Sequence, residues 1–248
     1  MSLLSVQDVT FGYTASKRVL DGVSLTIEPG DSIGLVGESG SGKTTLLRLL
    51  LGLTRPSSGS ITFNGTPLDP RNPRFMRDYR RQVQVVFQDP YSSLDPRQTV
   101  LSIVSEPLRA LCIPGDHRQM VSDALASVGL ERNILGRYPH EFSGGQRQRI
   151  AIARAIVAGP SLLLADEAVS ALDLSTRIRI VDLLKSLSEQ MTLVFVSHDL
   201  GVVATLCQKI VILEKGRIVE AGATASILAN PQHPYTQRLL NSVPRMPA

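Results

Sequence analysis

The stretch Asp31–Leu53, DSIGLVGESGSGKTTLLRLLLGL, decides the fold. A short apolar run, Ile33–Val36, reads as a buried strand, and the leucines after Lys43 recur at helical spacing. Between them, Gly37-Glu38-Ser39-Gly40-Ser41-Gly42-Lys43-Thr44-Thr45 fits G-x-x-x-x-G-K-[ST]. A preceding strand and a following helix give that motif its meaning. The glycines let successive backbone N–H groups turn inward around phosphate oxygens. The helix N-terminus adds partial positive charge. Lys43 can reach the β- and γ-phosphates, and the Thr44 hydroxyl can ligate Mg²⁺. An ordinary glycine-rich loop is the competing reading, and the flanking strand and helix disfavour it.

Upstream, LLSVQDVTFGY and VLDGVSLTIEPG, and then GSITFNG downstream, alternate apolar and polar residues, the pattern of antiparallel strands joined by Gly and Pro turns. QVQVVFQD, SLLLADE and TLVFVSHD are apolar runs ending in a polar residue, in the style of buried parallel strands, and KIVILEKGRIVEAG is a further strand region. Between Gln88 and Gly159 the periodicity turns helical, in TVLSIVSEPLRAL and HRQMVSDALASVGL. The expected architecture is an α/β core with a mostly parallel sheet, an N-terminal antiparallel β layer and an inserted α-helical subdomain. Residues 1–87 and 160–230 would form the core, 88–159 the insert and 231–248 a short tail with NP and HP turns.

The chain has 248 residues, of which 43% are hydrophobic, enough for one large domain or two lobes. Without Trp, its core must rest on Leu, Ile, Val and Ala. No run approaches the roughly 20 apolar residues that span a bilayer, and MSLLSVQDVT lacks the form of a signal peptide. A cytosolic protein is expected. Cys112 and Cys207 lack metal-site spacing and read as buried, reduced thiols. The formal charge of +4 is scattered, so a solvated surface is expected rather than nucleic-acid binding.

Further motifs carry chemistry. Ser161–Glu167 is an apolar strand ending in two carboxylates that can take different tasks: Asp166 to hold Mg²⁺ and Glu167 to polarise an attacking water. His198 and Gln88 also close apolar runs; either can reach a phosphate or be a plain loop residue. In Ser143-Gly144-Gly145-Gln146, Ser with Gln three residues on is a capping box for the helix that stops at Gly159-Pro160. A capping box does not need two glycines, so close approach to the backbone, by an anion, is expected there. No lysine accompanies it, which makes it half of a site.

Together these residues resemble the nucleotide-binding subunit of ATP-binding cassette (ABC) transporters, over essentially the whole chain and with the motifs in the family's order. Tyr13 matches the aromatic that stacks on adenine, and Gly37 to Thr45 match the Walker A loop. Gln88 matches the Q-loop glutamine, which joins Mg²⁺ and water to the membrane partner. Ser143 to Gln146 match the ABC signature, with Phe142 in place of the commoner Leu. Asp166 and Glu167 match Walker B and the catalytic base, Ser170 to Asp173 the D-loop, and His198 the switch histidine. Ala168 stands where Pro is commoner. The resemblance implies ATP and Mg²⁺, the metal held through Thr44, Gln88 and Asp166.

It also implies two such ATPase subunits dimerising head to tail, each ATP lying between one Walker A loop and the other subunit's signature. That dimer would drive two transmembrane permease subunits from the cytoplasmic face of the inner membrane, with an external solute-binding protein acting indirectly. QVVFQDPYSSLDPRQTV and the tail NPQHPYTQRLLNSVP look like the peptide and nickel importer branch, in which two different ATPases commonly pair. Peptides, nickel or a metal chelate are the expected cargo. Membrane-free ABC proteins of translation carry two cassettes, and those of DNA repair carry long coiled coils; neither feature is found here. A non-hydrolysing assembly subunit fits poorly with Glu167 and His198.

Overall fold

The computed structural model describes residues 2–14, 17–170 and 172–242. Ala171 of the expected D-loop and residues 243–248 of the tail lie outside them. In chain order the first elements are β1 (Leu4–Thr14), β2 (Lys17–Ile27), β3 (Ser32–Val36), α1 (Lys43–Leu50), β4 (Ser58–Phe63), β5 (Thr66–Pro67), α2 (Pro73–Gln82) and β6 (Val83–Val86). Next come α3 (Pro90–Ser93), α4 (Val100–Val104), α5 (Glu106–Ala110), α6 (His117–Ser127), α7 (Gly144–Ile156), β7 (Leu162–Asp166) and α8 (Leu174–Ser188). Last are β8 (Thr192–Ser197), α9 (Leu200–Leu206), β9 (Lys209–Glu214), β10 (Arg217–Ala223), α10 (Thr224–Ala229) and α11 (Pro234–Asn241). The chain forms two compact units, Met1–Met76 with Ser188–Ala248, and Arg77–Leu187.

In the first unit, β1 lies between β2 and β4, antiparallel to both, and β5 pairs with β4. The alternation read from the sequence is realised in part: Leu4, Val6, Val9 and Phe11 of β1 are buried, but Ser5 is buried too, and an irregularity around Asp8, at φ 48°, shifts the register between Val6 and Val9. The unit's other sheet places β3 between β8 and β9, parallel to both. Every residue of β3 and β8 is buried, which is why these strands are continuous apolar runs rather than alternating ones. The stretch 209–223 is a hairpin rather than one strand. β9 turns into an antiparallel β10 through Lys215 and Gly216, at φ 48° and 80°, the paired left-handed geometry that suits the twist of a tight hairpin.

In the second unit, β6 and β7 pair in parallel, Val83 opposite Leu162 and Val86 opposite Ala165. Helix α7 buries Ile150, Ala151, Ile152, Ala153 and Ala155 and packs against α3, α4, α5 and α6. The helical stretch 99–111 is two helices meeting at Ser105, whose hydroxyl donates to the Leu101 carbonyl at 2.6 Å.

Two expectations are corrected. Cys207 is buried, and burial pushes its thiol up to about 12, but Cys112 is exposed because it sits in a surface turn at φ 53°. The HP of the tail is not an isolated turn. His233 caps α11, its Nδ1 accepting from Tyr235 N–H at 3.2 Å, and Pro234 fills the first turn, where its missing N–H costs nothing. Among the described residues no helix is long and apolar enough to cross a membrane.

Candidate nucleotide-binding site

Ligands of parallel α/β sheets bind beyond the carboxyl ends of the strands, and each unit places some of the expected site residues there: Gly37 to Thr45 and His198 in the first, Gln88, Asp166 and Glu167 in the second. In the first unit Val36 of β3 is opposite Ser197 of β8. The next residues, Gly37 and His198, therefore leave neighbouring strands side by side. Gly37 is fixed by packing, since a Cβ there would come 2.2 Å from the Leu213 carbonyl oxygen of β9. Gly42 is fixed by its backbone, φ 111°, which side chains rarely adopt.

The loop has the form of an anion cradle. Helix α1 starts at Gly42 with no side-chain cap, whereas α6, α7 and α9 are capped by Asp116, Ser143 and Asp199. A helix N-terminus without a side-chain cap suits an anionic guest. Lys43, only 6% exposed, curls back so that Nζ donates to the carbonyls of Gly37 at 2.6 Å and Glu38 at 2.9 Å. The buried Ser41 hydroxyl has no protein partner, an orphaned polar group within the cradle. Ser39, Gly40 and Thr44 face solvent.

Tyr13, at the end of β1, is 59% exposed. Its hydroxyl shares a hydrogen bond with Thr45 Oγ1 at 3.3 Å and accepts from Arg48 at 3.4 Å, which holds the ring beside α1. The Thr45 bond first, and Arg48 second among the favourable groups, draw its hydroxyl below the usual phenol value. Phe11 meets the ring edge-on at 5.1 Å. An exposed aromatic face pinned by its hydroxyl suits stacking of a flat base. His198 is exposed on a turn tied at both sides: Asp199 N–H donates to Ser197 Oγ at 2.9 Å, and the Asp199 carboxylate caps α9.

In the second unit Val86 lies opposite Ala165, so Gln88 and the pair Asp166-Glu167 emerge together. Gln88 Nε2 donates to Glu167 Oε2 at 2.9 Å and to Ser170 Oγ at 3.3 Å. Glu167 is left-handed, at φ 46°, uncommon for a residue with a long side chain and the kind of outlier found at working sites. Ser170 stabilises the turn, its N–H and hydroxyl both donating to the Glu167 carbonyl at 3.0 Å.

The capping box at α7 forms as read: Ser143 Oγ accepts from Gln146 N–H at 3.3 Å, and Gln146 Oε1 accepts from Ser143 N–H at 3.0 Å. Beside it is a cavity of about 260 Å³ whose lining includes Ser143, Gly145, Arg149, Thr176 and Arg179. The two arginines were not anticipated. They lie 6 and 36 positions beyond Ser143 in the chain, and only the packing of α7 and α8 brings them to one hollow. Tyr235 was also missed, although an aromatic in a polar tail is a signal. Its hydroxyl accepts the Glu38 N–H of the glycine loop at 2.8 Å.

The chain is similar to known proteins over most of its length. Residues 20–170 match the family described as ABC transporter, and residues 219–248 match the one described as oligopeptide/dipeptide transporter, C-terminal region. A Brucella ovis protein named for peptide import and ATP binding is 44% identical over 249 residues, 98% of this chain and 78% of that protein. The glutathione import ATP-binding protein GsiA of Escherichia coli is 46% identical over 93% of this chain, which spans 38% of it. Among solved structures, cbiO1 of Clostridium perfringens, part of the ABC transporter complex cbiONQ, has a TM-score of 0.83 at 28% identity, covering 92% of this chain and 91% of that one. A dimeric ATP-binding cassette in a post-hydrolysis state with ADP and Pi has a TM-score of 0.79 at 30% identity, covering 89% and 98%. The chain belongs to the ATP-hydrolysing, ATP-binding proteins of the ABC transporter family.

Proposed function

We propose that this ABC ATPase energises peptide import, working at the cytoplasmic face of a membrane against separate permease subunits. The match of the tail, residues 219–248, to the oligopeptide/dipeptide transporter C-terminal region carries this reading. The relatives described above are named for peptides and glutathione, so peptides rather than nickel are the proposed cargo.

In this reading the α1 N-terminus, Ser39 to Gly42 and Lys43 hold the phosphates, and Tyr13 offers its ring to adenine. Lys43 must leave the Gly37 and Glu38 carbonyls for phosphate oxygens, exchanging two neutral acceptors for a charged one. Glu167 takes a proton from the attacking water once Gln88 releases its Oε2, so Gln88 is both a tie on the base and its release. His198, on a turn tied at both sides, would contact the γ-phosphate. Thr44, Asp166 and Gln88 each carry an oxygen donor of the hard type that suits Mg²⁺; in this reading they would hold the ion, which would neutralise charge on the β- and γ-phosphates.

Ser143, Gly144 and Gly145, a helix N-terminus with no lysine of its own, serve the γ-phosphate held by a second ATPase subunit, a different paralogue in the cell and a second copy of this chain when it is purified alone. Purification of the tagged chain from its own membranes tests the cargo and the partners. Co-purification of permease subunits, a second ATPase and a solute-binding protein that binds short peptides is the expected result. Recovery of ribosomes or DNA alone would refute import, and a solute-binding protein that takes nickel but no peptide would refute the cargo.

A further inference from the structure

We infer that Tyr235 is a positioning residue for the glycine loop: its hydroxyl holds the Glu38 peptide and so presets the cradle for phosphate. This rests on the proposed role of Gly37–Thr44 in holding phosphate.

Glu38 is gripped from both sides. Its N–H donates to Tyr235 Oη at 2.8 Å, and its carbonyl accepts from Lys43 Nζ at 2.9 Å. The Lys43 grip has to loosen when phosphate arrives; the Tyr235 grip need not. A loop with φ 80° at Gly40 and 111° at Gly42 has many alternatives, and an anchor at its entrance removes some of them before the nucleotide binds.

Tyr235 is itself held from several directions, as an anchor must be. It is 3% exposed. Its own N–H donates to His233 Nδ1. The Glu220 carboxylate of β10 accepts the N–H groups of Gln232 at 2.9 Å and His233 at 3.2 Å, which pins the start of α11. Arg238 lies 5.6 Å over the Tyr235 ring and bridges to Glu214, the last residue of β9, at 3.3 Å. The segment Gln232–Arg238, QHPYTQR, thus acts as a clamp. Glu220 and His233 set the helix start, Pro234 opens the helix, Arg238 covers the ring, and the hydroxyl reaches the loop.

The Glu38–Tyr235 bond is only part-buried, beside an exposed Glu38, so water can take the place of the hydroxyl at that N–H. Losing the hydroxyl therefore loosens the loop with little effect on the fold, and the cost falls on binding, which must then order the loop. The test uses the full chain as wild type, Tyr235→Phe and Lys43→Ala. Mg-ATP affinity is measured by calorimetric titration, and hydrogen exchange is followed in the Gly37–Gly42 segment without nucleotide. Tyr235→Phe is expected to weaken Mg-ATP binding about fivefold, the scale of one hydrogen bond, and to speed exchange in the loop. An affinity equal to wild type in Tyr235→Phe, with Lys43→Ala weakened, overturns the anchor alone. Wild-type affinity in both variants overturns the phosphate cradle and the anchor with it.

Discussion

A methyl group added at Gly145 would sit 2.3 Å from Thr176 Cγ2 of α8, whereas one at Gly144 would meet nothing nearer than the Tyr91 hydroxyl at 3.7 Å. The two glycines of the capping box therefore have different reasons. Gly145 is small because α8 packs on it, while Gly144 leaves backbone open for a guest. Sequence pattern alone assigned both to an anion, because a helix–helix contact 31 residues along the chain leaves no mark in local composition. Gly145→Ala is expected to cost about 1–3 kcal/mol, as overpacking does, and Thr176→Ser in the same chain, which removes the clashing methyl, should restore most of it. Urea unfolding of the single and double variants decides; no rescue would mean that Gly145 is small for another reason.

Among elements, α8 shows how a cap makes stability depend on pH. Asp173 accepts from Thr176 N–H at 3.0 Å and Ser175 Oγ at 2.8 Å, and these bonds, the Thr176 N–H foremost, hold its carboxyl at about 2 rather than 3.8. The folded pKa is depressed, so the stabilisation is fully present above about pH 4 and is lost as pH falls toward 2. Asp173→Asn keeps a capping side chain but cannot titrate. The difference in unfolding midpoint between parent and variant should grow from pH 2 to pH 4 and then level off; a constant difference over that range would contradict the assignment. Elements with a strong period were legible: β1, β3, β8, α6 and α7 lie where alternation, apolar runs or 3.6-residue spacing put them. The hairpin of β9 and β10 was not, because Lys-Gly is a weaker turn signal than Asn-Gly. Nor was α11, whose start depends on His233, an uncommon cap, and on the distant Glu220.

For the whole molecule, the order of motifs along the chain made the family legible, and its matches over residues 20–170 and 219–248 agree. What the order could not reveal is which motifs touch. Gln88 meets Glu167 across 79 positions and Tyr235 meets Glu38 across 197, through strand pairing and a returning tail. Such contacts are tertiary, and no window of local sequence contains them. The account as a whole rests on Glu167 as the base that lets a closed pair of subunits hydrolyse ATP and part. The most direct measurement compares the purified wild-type chain with Glu167→Gln in Mg-ATP, following phosphate release and molecular mass together. The account predicts that phosphate release falls about a hundredfold or more, the scale of a lost general base, while the variant holds intact ATP and accumulates as a dimer. Phosphate release at the wild-type rate, from a variant that stays monomeric with ATP bound, would contradict it.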